Sequence, residues 1–234
     1  MPISPSLNRA VVDRYQDPRA AQPDTVLTDL AGAVEAAGQA AAEIEATAAV
    51  IAADKSKSAG ENSIRIRAAA TGTGTRGVAR LDSALERARA EVARLIGATW
   101  SPRPPATAAE ESRAAELRGV LRTMRPEDRA KAIADRLNAD DDRFLSAVLN
   151  ADALTTSMST SELDALRARW RRQRFPTEVD RIARLQKAAE ASQRAGLAFV
   201  EVVTRHTDSQ AAKLADHAAA RAAEAIAAAA SHQA

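Results

Sequence analysis

The sequence contains no cysteine. That excludes a disulfide framework, a thiolate nucleophile and a cysteine-ligated metal site. Aromatic residues make up only 3% of the 234 positions, so a thick core of large side chains is excluded too. No stretch approaches the roughly 18 consecutive apolar residues that a membrane-crossing helix needs. The opening run Met1-Pro2-Ile3-Ser4-Pro5 lacks the charged and apolar blocks of a signal peptide. The expectation is therefore a soluble chain made in the cytoplasm, without a membrane partner. An excess of one charge is also missing. The 33 basic residues stand against 31 acidic ones, a formal net charge of +2, and no global field points to a polyanion.

Residues for catalysis are equally scarce. There are 3 histidines, His206, His217 and His232; the first two lie eleven residues apart, and neither has a second ligand at i+4. Asp140-Asp141-Asp142 lacks EF-hand spacing and reads as acid enrichment at a helix N-terminus, which the helix macrodipole favours. No serine sits in a Gly-x-Ser-x-Gly or comparable arrangement. The run Thr71-Gly72-Thr73-Gly74-Thr75-Arg76-Gly77 is the nearest approach to a phosphate-binding turn, but it lacks a Gly-Lys-Ser/Thr ending and a convincing preceding strand. Ile64-Arg65-Ile66-Arg67 alternates like a strand over only four residues, with no pairing partner. A flexible Gly/Thr-rich loop at 60–77 is the better reading. The expectations are no catalytic residues, no cofactor, no metal, no small-molecule substrate, and hence no enzyme.

What the chain does have is alanine, about a quarter of all residues, with abundant Arg, Leu and Glu, all strong helix formers. From about Thr25 to Asp54, Leu27, Leu30, Val34, Ala37, Ala41, Ile44, Ala48 and Ile51 recur at alternating spacings of three and four, the pattern of a coiled-coil seam. Val78, Leu81, Leu85, Ala88, Val92, Leu95 and Thr99 repeat it, so residues 25–100 read as a long helical hairpin. The 53 residues from Glu178 to Ala230 contain no proline and one glycine; as a single helix they would span about 80 Å. Ile182, Leu185, Ala189, Gly196, Val200, Val203 and Leu214 belong to its stripe. Burying an alanine methyl gains only about 0.8 kcal/mol, so such a helix profits from long, close contact with other helices.

Proline and capping signals divide the rest. Residues 1–24 carry prolines at 2, 5, 18 and 23 and read as an N-terminal arm, either loosely held or packed on a neighbouring subunit through Ile3, Leu7, Val11, Val12 and Tyr15. Residues 101–106 form a Pro-rich linker. Residues 107–175 hold most of the large side chains and should form a compact set of short helices. Capping boxes Thr107–Glu110 and Ser159–Glu162, Pro126 at a helix start and a cap at Asp140 organise it. Pro176 then opens the C-terminal Ala-rich helix, 176–234.

One cluster could meet nucleic acid. Arg167, Arg169, Arg171, Arg172 and Arg174 surround Trp170, which places an aromatic ring among phosphate-binding charges. The plainer reading buries Leu163, Leu166 and Trp170 and leaves the arginines at the helix C-terminus, paired with nearby acids.

The run from Arg125-Pro126-Glu127-Asp128 to Leu154, then Ser159-Thr160-Ser161-Glu162-Leu163 to Arg174-Phe175-Pro176, followed by an alanine-rich terminal helix, resembles small helical structural proteins of tailed-bacteriophage virions. The resemblance covers roughly the last half of the chain and is one of pattern. It implies a protein present in symmetric copies at a capsid, portal vertex or neck. The expectation is thus an all-α, elongated helical bundle or coiled coil that works as a structural, homo-oligomeric assembly protein. Its helix-packing residues would be Leu27, Leu30, Val34, Ile44, Ile51, Val78, Leu81, Leu85, Val92, Leu95, Ile182, Val203 and Leu214, and its partners itself and other structural proteins. A nucleic-acid-binding factor working through the Arg167–Arg184 region is the alternative.

Overall fold

The computed structural model describes residues 4–208 together with 213, 214, 217, 220 and 221. Among these the fold is all-α, with no strand. After a short 3-10 turn at Pro5–Leu7, the helices are α1 (Ala10–Asp13), α2 (Thr25–Ala53), α3 (Ala59–Ala98), α4 (Ala108–Thr123), α5 (Pro126–Asn138), α6 (Asp142–Leu149), α7 (Ala153–Thr156), α8 (Thr160–Arg174) and α9 (Pro176–Thr207). The chain divides into two compact units, residues 1–90 with 184–234, and residues 91–183. The divisions fall inside α3 and α9 and not at the Pro-rich run.

In the first unit α2 starts where the Asp24 carboxylate accepts the Val26 N–H at 2.9 Å, a side-chain N-cap. Its seam is buried as the spacing predicts: Leu27, Leu30, Val34, Ala37, Ala41, Ile44 and Ala48 are all inside, with Ile51 half-buried. Two ion pairs show that α2 and α3 run antiparallel, Asp29 with Arg87 at 2.8 Å and Asp54 with Arg65 at 2.9 Å. The first joins the start of α2 to the later part of α3, and the second joins their near ends. The α9 portion lies along both helices. Arg205 Nη1 reaches Glu45 Oε1 at 2.9 Å, and Phe199 and Val203 meet α3 at Gly77 and Gly74.

Those glycines overturn the loop expected at 60–77. The whole stretch is helical, including Ile64–Arg67. A Cβ at Gly77 would lie 2.5 Å from Phe199 Cε1, and one at Gly74 would lie 2.8 Å from Val203 Cγ1. Each glycine is therefore a seat for an α9 side chain, and the packing outweighs a helix-propensity penalty of about 1 kcal/mol per glycine. The real break is the turn before Ala59. There the Ser58 N–H donates to Glu61 Oε2 at 2.9 Å and the Glu61 N–H donates to Ser58 Oγ at 3.2 Å. This is a capping box of the same kind that the sequence displays at Thr107 and Ser159.

Two further expectations are corrected here. The N-terminal arm packs on its own chain: Leu7 and Val12 are buried, the Leu7 carbonyl oxygen presses on α2 at Gly38, and Arg9 pairs with Glu35 at 3.2 Å. Gly38 leaves room for that carbonyl, which any side chain would displace. The buried face of α9 in this unit is Leu185, Ala188, Ala191, Ser192, Ala195, Phe199 and Val202, rotated by about one residue from the expected stripe. Val203 is half-buried and Val200 exposed. The rotation follows from Phe199, whose ring needs a glycine opposite it. Of the rod expected over 176–234, α9 covers Pro176–Thr207 and residues 213, 214, 217, 220 and 221 are also helical; the rest of 209–234 lies outside the described residues.

The second unit has one contiguous core of Leu121, Ile133, Leu137, Phe144, Leu145, Val148, Leu149, Leu163 and Trp170, with Leu117, Met124, Met158, Leu166 and Phe175 packed on it. Thr107 and Ser159 both form complete capping boxes. The cap of α6 is Asp141, whose carboxylate accepts the Phe144 N–H at 3.1 Å, and not Asp140, which takes a left-handed conformation at φ 55°. The run 101–106 is held against α6 and does not hang as a linker. Ser146 Oγ donates to the Arg103 carbonyl at 2.6 Å, and Asn150 Nδ2 donates to the Pro102 carbonyl at 2.9 Å.

Glu91 ties two stretches of this unit together. Its carboxylate accepts from Arg94 at 2.7 and 2.9 Å and from Arg181 at 2.5 Å. These bonds, Arg94's first, outweigh burial and hold its pKa at about 2 against an ordinary 4.5. A depressed carboxylate stabilises the fold above its unfolded pKa, and that contribution fades as pH falls from about 4.5 through about 2. Glu91→Gln should therefore cost about 1.5–3 kcal/mol at pH 7, with the difference shrinking as pH falls from about 4.5 toward about 2. Urea midpoints of both proteins across that range check this; parallel curves would show that the carboxylate carries no such linkage.

Candidate functional site

Two places could carry function. The first is a groove in the first unit, about 530 Å³ in volume, whose apolar lining is Val78, Leu81, Leu85, Gly196, Leu197 and Val200. The α3 side arises because Leu81 and Leu85 turn toward the bundle, with Leu85 only 7% exposed on the groove floor, while half-buried Val78 sits at the edge. The α9 side arises from the same rotation that buries Phe199. It carries Leu197 and Val200 outward, where they are 73% and 45% exposed. A Cβ at Gly196 would meet nothing within 4 Å, so the wall between these two side chains is low.

Charges line the rim as well. Asp82, Glu86 and Arg89 all border the groove, and none of them makes an ion pair with another described residue, although Arg87 on the same helix pairs with Asp29. Asp82 and Arg89 stand one turn to either side of Leu85. Sequence periodicity identified Leu81 and Leu85 and left Leu197 aside. The signal that could have found Leu197 is the three-residue step to Val200 on a face otherwise lined by charge.

The second place is the arginine-rich end of α8. Trp170 is 4% exposed and packs edge-on against Phe175 at 5.4 Å, so its face is covered by the core. Its indole Nε1–H is buried without a hydrogen-bond partner. Arg167 donates to the Leu149 carbonyl at 2.9 and 3.1 Å and pairs with Asp164 at 3.0 Å. Arg171 donates to the Thr99 carbonyl at 3.2 Å, and Arg174 pairs with Asp142 at 2.7 Å. Arg169 approaches Asn138 at 3.4 Å, and Arg172 is exposed. The structure thus brings the cluster together but uses three of its members to close α8 onto its neighbours. The aromatic ring among these arginines that does reach solvent is Trp100, 44% exposed. Arg167 and Arg171 lie over it, 5.1 and 5.5 Å from the ring centroid, a cation–π arrangement.

The remaining assembly candidates are distributed as follows. Leu95 and Ile182 are buried, Val92 is half-buried, and Leu214 is 64% exposed. His206 is half-buried with Nε2 3.4 Å from Glu45 Oε2, His217 is exposed, and His232 lies outside the described residues. Asp140 and Asp142 face Arg174, and Asp141 faces Arg136 at 3.0 Å. Among the described residues no three of His, Cys, Asp and Glu gather to hold a metal ion, and no helix is long and apolar enough to cross a membrane. No protein-family model matches the chain, and no curated protein or solved structure matches it.

Proposed function

We propose that the protein is a non-enzymatic assembly component whose work is helix-on-helix packing between copies of itself. The observation that carries this reading is the open apolar groove between α3 and α9, bordered by charges that pair with no other described residue. A second copy fits it by symmetry. In an isologous contact the same patch meets itself, so residue i touches j while j touches i. If two α3 helices cross antiparallel at Leu85, Asp82 of one copy faces the partner's Arg89, and Arg89 faces the partner's Asp82. Leu197 and Val200 then enter the other copy's groove, removing exposed apolar surface at about 25 cal/mol per Å². The resemblance to virion structural proteins supports a tailed-phage particle as the assembly, with other structural proteins as further partners.

A charge exchange tests it. Light-scattering mass should show the wild-type chain self-associating at micromolar concentration. Asp82→Arg and Arg89→Asp should each weaken association by at least about tenfold, because like charges then oppose each other. The double variant should recover it. A wild-type chain that stays monomeric at about 100 μM, or a double variant no better than the singles, overturns this reading.

A further inference from the structure

The second unit contains a cleft of about 970 Å³ between the extended run 101–106, α4, α6 and the end of α8. That volume is of the size that encloses a small organic ligand. One wall is apolar, made by Pro102, Pro105, Leu117 and Phe175. It is held in place, since the Pro102 and Arg103 carbonyls accept from Asn150 and Ser146 on α6. The cleft is therefore preformed.

Its charge is one-sided in a unit that is otherwise nearly balanced. Four arginines line it, Arg103, Arg113, Arg143 and Arg174, against two acids, Glu110 and Asp142. Both acids are engaged. Glu110 accepts the Ala106 and Thr107 N–H groups at 2.7 and 3.3 Å, and Asp142 accepts from Arg174 at 2.7 Å. Arg103, Arg113 and Arg143 make no ion pair with any described residue. Glu110 lies within the field of Arg103 and Arg143, but four guanidinium groups against two carboxylates leave an excess of positive charge beside one apolar wall, which calls for a ligand with a compact anionic head and a flat apolar body. A guanidinium fork meets phosphate oxygens bidentately.

We propose that this cleft is a binding site for a small organic phosphate whose body lies on the Pro102–Phe175 wall while Arg113 and Arg143 hold the phosphoryl oxygens. This goes beyond the assembly reading and is independent of it, because it concerns the other unit. Nothing in the sequence pattern points to a small-molecule ligand; the arginines are scattered over 41 positions, from 103 to 143, and only the folding of α4 and α6 beside the extended run gathers them.

Phenyl phosphate is the probe, inorganic phosphate supplies the head alone and benzyl alcohol the body alone. The readout is fluorescence of the full-length Trp100→Phe protein, in which Trp170, lining the cleft, is the remaining indole of the 2 in the sequence. Phenyl phosphate should give a saturable change with Kd below about 1 mM, at least about tenfold tighter than inorganic phosphate, with benzyl alcohol far weaker. Arg113→Ala with Arg143→Ala should weaken it at least about tenfold while leaving the thermal midpoint in place, since both side chains are exposed. Calorimetry on the unsubstituted chain should return the same order of affinities. No saturable change up to about 10 mM, equal affinity for phenyl phosphate and benzyl alcohol, or undiminished binding to the double variant would each overturn the proposal.

Discussion

Phe199→Ala is expected to destabilise the first unit by about 3–5 kcal/mol, the usual cost of emptying a buried phenylalanine site, and to reverse the effect of a second substitution across the helix interface. In the unsubstituted chain, Gly77→Ala places a methyl 2.5 Å from Cε1 and 2.6 Å from Cζ of the Phe199 ring. The ring has no room to retreat, as Phe199 is fully buried. Alanine gains about 1 kcal/mol of helix propensity, but overpacking costs about 1–3 kcal/mol, so the net effect should be destabilising. With Phe199→Ala the ring is gone and only the propensity gain remains, so Gly77→Ala should become stabilising. Gly32→Ala on α2 is the control. A Cβ there meets nothing within 4 Å, and the substitution should raise stability by about 0.5–1 kcal/mol. Urea unfolding of the four proteins in the cycle measures the coupling. If Gly77→Ala behaves like Gly32→Ala in the unsubstituted chain, the seat for Phe199 is not where the structure puts it.

The second large effect separates folding from assembly within one groove. Leu85→Asp should cost at least about 3 kcal/mol and abolish cooperative melting at ordinary temperature, because it places an unpaired carboxylate where the side chain is almost wholly enclosed. Leu197→Asp, on the opposite wall and mostly exposed, should change stability by no more than about 0.5 kcal/mol. It should nonetheless abolish self-association, since a desolvated charge would have to enter the other copy. Circular dichroism and light scattering on the same samples read both quantities. A Leu85→Asp protein with native melting would show that the seam is misassigned. A Leu197→Asp protein with wild-type mass would remove the groove from the interface.

The Gly-rich stretch of α3 and the Pro102–Pro105 run were the poorest guides to this chain, for a common reason. Each is permissive or restrictive for the local backbone, but whether a helix tolerates it depends on what stands opposite. Gly74 and Gly77 continue α3 because Val203 and Phe199, more than a hundred positions later, fill the space they leave. The Pro102–Pro105 run, which ought to separate domains, is fastened to α6 by two carbonyl-accepted hydrogen bonds. Of the candidate groove, Leu81 and Leu85 were legible by spacing. Leu197 and the lack of an ion pair for Asp82 and Arg89 among the described residues were not, because pairing depends on which helix lies beside them.

The amino-acid sequence alone determined the all-α class, the seam of α2 and the starts of α4, α5 and α8, since periodicity, capping boxes and an N1 proline act within a few residues of themselves. It also determined that the core of the second unit would hold the large side chains. Tertiary structure alone decided that 60–77 is helix, that the arm folds onto α2, which face of α9 is buried, and which acids the arginines pair with. Those are outcomes of close contact between surfaces far apart in the chain. Neither surface carries the answer by itself, because a methyl's clearance and a charge's neighbour exist only once both are in place.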